Sequence, residues 1–123
     1  MFMQMWEDGH IKPEIIAERR DGFSVELDMC PDETLTQFQG HFPAHPICPG
    51  VAQLDWAVCF ACEKFGIDIA VREVSQLKFR EVLMPNMNVT LSLEYQPDKK
   101  RIIFSYSHAE KIFSSGILKL GSL

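Results

Sequence analysis

Between Val51 and Cys62 only Gln53 and Asp55 carry polar side chains, so a helix made from this stretch is apolar on nearly every side. Such a helix belongs inside a protein, and the rest of the chain has to wrap it. Pro49-Gly50 supplies a turn just ahead, and Pro46 and Pro49 stiffen the approach. The backbone N–H groups of Gly50 and its neighbours then open the first turn with no helical partner. About Lys64 the helix ends, stopped by Gly66.

On helical geometry Val51, Asp55, Val58, Cys59 and Cys62 share a face, which puts a carboxyl on an apolar stripe. A lone buried carboxylate is costly and tends to keep its proton, so Asp55 is a candidate tuned acid. The plainer alternative is an Asp that reaches solvent or caps a neighbour. His41 lies fourteen residues earlier on the irregular approach, with Gly50 between the two. A histidine, a helix-opening N–H and a carboxyl that converge on one volume form a chemical kit for acid–base work. Only the conjunction argues for function: His41 alone is more often structural, and Gly50 alone is more often a turn glycine.

GHFP at Gly40, then PxxPGV, then an acid fourteen positions after the histidine resembles the active-site segment of the hot-dog-fold 3-hydroxyacyl-[acyl carrier protein] dehydratases. The likeness is close from Gln39 to Ala57 and looser over KFREVLMPN, from Lys78 to Asn86. PGVAQLDWA is most similar to small dehydratases encoded with aryl-polyene pigment clusters of Gram-negative bacteria. Three positions depart from the usual pattern: Asp55 where one branch has Glu, Ala44 for a Gly, and Asn86 for another Gly. The Asp is shared with the branch that also isomerises, which leaves isomerase activity open.

The resemblance implies dehydration of a 3-hydroxyacyl thioester, carried on an acyl carrier protein, to the trans-2-enoyl thioester. His41, with an ordinary pKa of about 6.5, suits the base that takes the α-proton. Asp55 would give a proton to the departing hydroxyl, and the Gly50 N–H at the positive end of the helix would hold the thioester oxygen. The likeness further implies that Phe42, Pro49, Val51 and Val58 contact substrate, and that His41 of one subunit faces Asp55 of another. No cofactor and no metal is expected. Two other classes stay open: a hot-dog acyl thioesterase, and a non-catalytic acyl-binding module. Acyl chain length, aryl specificity and the choice between carrier protein and coenzyme A are not encoded in any motif.

A chain of 123 residues, 46% hydrophobic, fits one domain over residues 1–123. The N-terminus lacks the pattern of a secretion signal and no run is long enough to span a bilayer, so a cytoplasmic protein is expected. A net charge of −5 argues against nucleic acid and anionic membrane as partners. An acidic carrier protein would need a local basic patch. Lys78 with Arg80 is the candidate for carrier docking, and Lys99-Lys100-Arg101 is a second basic run; either could simply be a solvated face. Four cysteines without a signal peptide read as reduced thiols. The CxxC of Cys59 and Cys62 fits small buried residues better than a metal or redox pair, and His41, His45, Cys48 and Asp55 match no standard zinc spacing.

Residues 1–10 suggest a short helix or flap. Glu14 to Arg20 and Phe23 to Met29 read as a hairpin about Asp21-Gly22, although the alternation of the first strand is blurred. After the helix come β-branched residues from Ile67, with the alternation slipping between Val71 and Leu77, which predicts a bulge or bend. Strands follow over Val89–Tyr95, Arg101–Ala109 and Ile112–Leu120, with Gly116 a candidate bulge. One helix among antiparallel strands predicts the α+β class, a curved sheet wrapped around a central helix as in the hot-dog fold. One sheet leaves part of such a helix uncovered, which predicts a homodimer, with a trimer of dimers allowed by the family.

Overall fold

The computed structural model describes residues 12–31, 48–68 and 70–121. The proposed N-terminal flap, His41, Phe42 and His45 lie outside these residues. The elements run β1 (Ile15–Asp21), β2 (Ser24–Met29), α1 (Gly50–Phe65), β3 (Val71–Phe79), β4 (Val89–Gln96), β5 (Arg101–His108) and β6 (Lys111–Leu120). Left-handed residues mark the turns: Gly22 at φ 60, Gly66 at 63, Asn86 at 65, Lys100 at 53 and Ala109 at 54. Gly66 closes the helix with its N–H bonded to the Cys62 carbonyl, the expected stop.

The strands form one antiparallel sheet in the order β1-β2-β4-β5-β6-β3. Between β2 and β3 the chain crosses from near one margin to the opposite margin, carrying α1 over one face. Alternation puts Val25, Leu27 and Met29 of β2, Leu91 and Leu93 of β4, and Ile102 and Phe104 of β5 into the core. They meet Trp56, Ala57, Phe60 and Ala61 of α1. Burying each large apolar side chain is worth about 1.5–3 kcal/mol. This is the α+β hot-dog arrangement expected from the sequence.

The two margins differ. All of β1 after Ile15 is exposed, including Ile16, so it has no inward face and its alternation is blurred. Its backbone ladder to β2 holds it, and charge adds to this: Arg19 donates both terminal nitrogens to Asp28 at 2.8 Å and its Nε to Glu26 at 3.0 Å. Thr90 of β4 donates to Asp28 from the other side at 2.7 Å. These hydrogen bonds, from Arg19 first, lower the Asp28 carboxyl to about 2. At the far margin β3 is open and mixes polar with apolar residues, with Leu77 and Phe79 exposed. The expected bulge is present there, with register shifts either side of Ser75 and Gln76 at φ 51.

Gly116 is not a bulge. It sits in register opposite Phe104, and the irregularity of β6 falls between Tyr106 and Ser107, where Phe113 is the extra residue. That extra residue explains how the consecutive side chains Phe113 and Ser114 are both buried. Glycine is needed at 116 for a different reason: a Cβ there would stand 2.8 Å from the Phe104 ring. Gly116→Ala is therefore expected to destabilise the fold by about 1–3 kcal/mol. A chemical-denaturation midpoint equal to that of the parent protein would contradict this.

Candidate active site

Proline opens α1 without a side-chain cap. Pro49, at φ −60 and ψ 149, is the N-cap residue, and its carbonyl accepts from the N–H groups of Ala52 at 3.1 Å and Gln53 at 3.2 Å. Among the described residues nothing accepts from the N–H of Gly50 or Val51. Unclaimed donors at the positive end of a helix favour negative charge. Gly50 also permits a close approach, because a Cβ on it would stand 2.6 Å from the tip of the Phe79 ring. Phe79 itself is half exposed, as are Val51 and Val82, so the helix opening is bordered by apolar side chains that meet solvent.

One and a half turns on, Asp55 is 3% exposed. Among the described residues no group donates a hydrogen bond to its carboxyl. Burial pushes its pKa above the ordinary carboxylate range. The stripe predicted around it is only partly apolar core: Val51 is 64% exposed, and Val58, Cys59 and Cys62 are half-buried. Gln53, Trp56 and Ala52 are buried instead. The two cysteines of the CxxC thus line the less covered side of α1, where Lys12 pairs with Glu63 at 2.6 Å and lies 3.7 Å from the Cys59 sulfur.

Gln53 was named in the sequence only as a polar exception, and it is tied on all sides. Ser114 Oγ of β6 donates to Gln53 Oε1 at 2.5 Å, Gln53 Nε2 donates to the Cys48 carbonyl at 3.3 Å, and Tyr106 Oη of β5 donates to the Gln53 carbonyl at 2.6 Å. All three side chains are buried. Burial, with Cys48 and Asp55 nearby, keeps the Tyr106 phenol protonated. A lone amide in an apolar helix was the available signal; its partners on β5 and β6 follow only from the sheet order.

Lys78 and Arg80 flank Phe79 in the chain and are exposed. The second basic run is larger in space than in sequence. Lys99, Lys100 and Arg101 are joined by Arg72 of β3 and Lys119 of β6 around a cleft of about 340 Å³. This gathers five cations on a chain whose net charge is −5.

Residues 17–117 match the model of the ApeI-like family, described as ApeI dehydratase, and the chain belongs to that family. It is therefore a dehydratase with the hot-dog fold. Among solved structures it is similar to the dehydratase heterocomplex ApeI:P from Xenorhabdus doucetiae, at 28% identity and a TM-score of 0.85, covering 91% of this chain and 100% of that one. A second similar structure is an uncharacterized protein from Erwinia carotovora subsp. atroseptica, at 28% identity and a TM-score of 0.77, covering 90% of this chain and 97% of that one. No curated protein matches the sequence.

The state of Asp55 gives a pH signature. Below the ordinary carboxyl value of about 3.9 the acid is neutral whether folded or not, and makes no difference to stability. As pH rises the unfolded chain loses the proton first, so the folded state is progressively disfavoured until its own, higher pKa is passed. The stability of the parent protein should therefore fall relative to Asp55→Asn as pH rises from about 4 towards the raised folded-state pKa. Unfolding free energies that stay parallel across that range would contradict a raised Asp55.

Proposed function

We propose that the chain dehydrates a 3-hydroxyacyl thioester on an acyl carrier protein to the trans-2-enoyl thioester, in aryl-polyene biosynthesis. The observation that carries this reading is the buried Asp55, its pKa raised by that burial, a turn and a half beyond a helix opening whose Gly50 N–H has no acceptor among the described residues. Such a pair can give a proton and hold an oxyanion. His41 takes the α-proton, the electrons of that C–H bond form the Cα=Cβ double bond, and the C–O bond breaks as Asp55 protonates the leaving hydroxyl to water. Negative charge that builds on the thioester oxygen falls on the Gly50 N–H. Pro49, Val51 and Val58 border the acyl chain together with Phe42.

The carrier protein is acidic in this reading, and two basic groups support it: the exposed Lys78 and Arg80 on either side of Phe79, and the five-cation cleft at the other end of β3. An open β3 edge that exposes Leu77 and Phe79 supports closure by a second hot-dog chain. Antiparallel pairing of two β3 edges would bring the Arg72 end of one strand towards the Phe79 end of the other, and both basic groups towards one opening. A copy of the same chain makes the homodimer expected from sequence. The heterocomplex among the similar structures favours, as a second reading, a related but non-identical partner.

The test is incubation with 3-hydroxyacyl thioesters of graded length and an aryl-containing analogue, followed by mass. A product lighter by one water is expected, reduced by about 10²-fold or more in His41→Ala and in Asp55→Ala. Release of free thiol instead would make the protein a thioesterase. If the site is shared, mixing His41→Ala with Asp55→Ala chains restores activity in mixed dimers. Mixed dimers that form without rescue would place both residues in one subunit.

A further inference from the structure

We infer that Gln53, held by Ser114 and Tyr106, is a positioning residue for the Gly50 amide. The inference rests on the assignment of that amide as the oxyanion donor. The geometry begins with the Gln53 side chain, which reaches back from the first turn of α1 to the carbonyl of Cys48 at 3.3 Å. Between that carbonyl and the Gly50 N–H stands only Pro49, whose ring locks φ, observed at −60. A carbonyl held at one end and a rigid proline in the middle leave the Gly50 N–H little freedom of direction. The Cys48 N–H is fixed in turn by the Leu83 carbonyl at 2.7 Å.

The anchor is itself anchored. Ser114 fixes the side-chain oxygen of Gln53, which settles which end of the amide faces Cys48, and Tyr106 fixes its main-chain carbonyl. A leucine at 53 with an alanine at 114 would fill similar space with neither side chain left to satisfy, and apolar replacement of both partners of a buried hydrogen bond is often near neutral for stability. Burying an amide, a hydroxyl and a phenol is costly unless every bond is made. What the polar set supplies and a leucine would not is direction, and an oxyanion donor depends on direction: misplacement by about 1 Å can cost about a hundredfold in rate.

Two variants test this, Gln53→Met and Ser114→Ala, with Ser114→Thr as the conservative replacement that keeps the hydroxyl. In both test variants kcat on a small thioester should fall about tenfold to a hundredfold with KM within about threefold and the pH limbs unmoved. Ser114→Thr should recover most of the loss. Hydrogen exchange at the Ala52 and Gln53 amides, both bonded to Pro49, should quicken about tenfold relative to amides of the last two turns of α1. Parent-like kcat in folded Ser114→Ala, or exchange that rises equally along the whole helix, would overturn the inference. Ser114→Ala removes one oxygen and carries the test if Gln53→Met does not fold. Should the parent protein dehydrate no thioester, the functional reading fails, and the exchange pattern still decides whether Gln53 holds the helix opening.

Discussion

Desolvation of Asp55 by the sheet that wraps α1 couples the fold of this chain to its chemistry. The helix is apolar enough to be driven inside, and the same burial that stabilises it denies water to Asp55, whereas its other carboxyl, Glu63, stays exposed. Low surrounding polarity favours the neutral acid. An acid whose pKa is raised by burial is better suited to give its proton away in a reaction. The cost falls on stability, and is borne by the large apolar interface between α1 and strands β2, β4 and β5.

Much of this was legible in the chain itself, for reasons that can be named. The helix followed from the near absence of polar residues between Val51 and Cys62, and its end from Gly66, which adopts the left-handed conformation that stops helices. Strands β2, β4 and β5 followed from strict alternation, because each has one wet and one dry face. β1 alternates poorly because both of its faces are wet. Asp55 stood out because a carboxyl on an apolar helix has few inexpensive explanations.

What escaped reading depends on contacts between elements far apart in sequence. Gly116 suggested a bulge, but the sheet register places it under Phe104 and moves the irregularity to Phe113. The face assigned to Asp55 was only half correct, since Val51 projects towards solvent and Gln53 turns inward. Arg72 and Lys119 join Lys99–Arg101 because β5, β6 and β3 are neighbours in the sheet, which no local pattern announces. Gln53 with Ser114 and Tyr106 is the same kind of case: three polar residues, each unremarkable alone, that meet only once β5 and β6 are laid beside the helix.

The central claim is that burial raises the pKa of the Asp55 side chain above that of an exposed aspartate. Carbon-13 detected NMR titration of the Asp55 carboxyl in the folded protein measures this directly, with Asp28 as an internal contrast whose carboxyl is drawn to about 2 by Arg19. The account predicts an Asp55 midpoint above the model aspartate value of about 3.9 and above that of Asp28. An Asp55 that titrates at or below that value would contradict it.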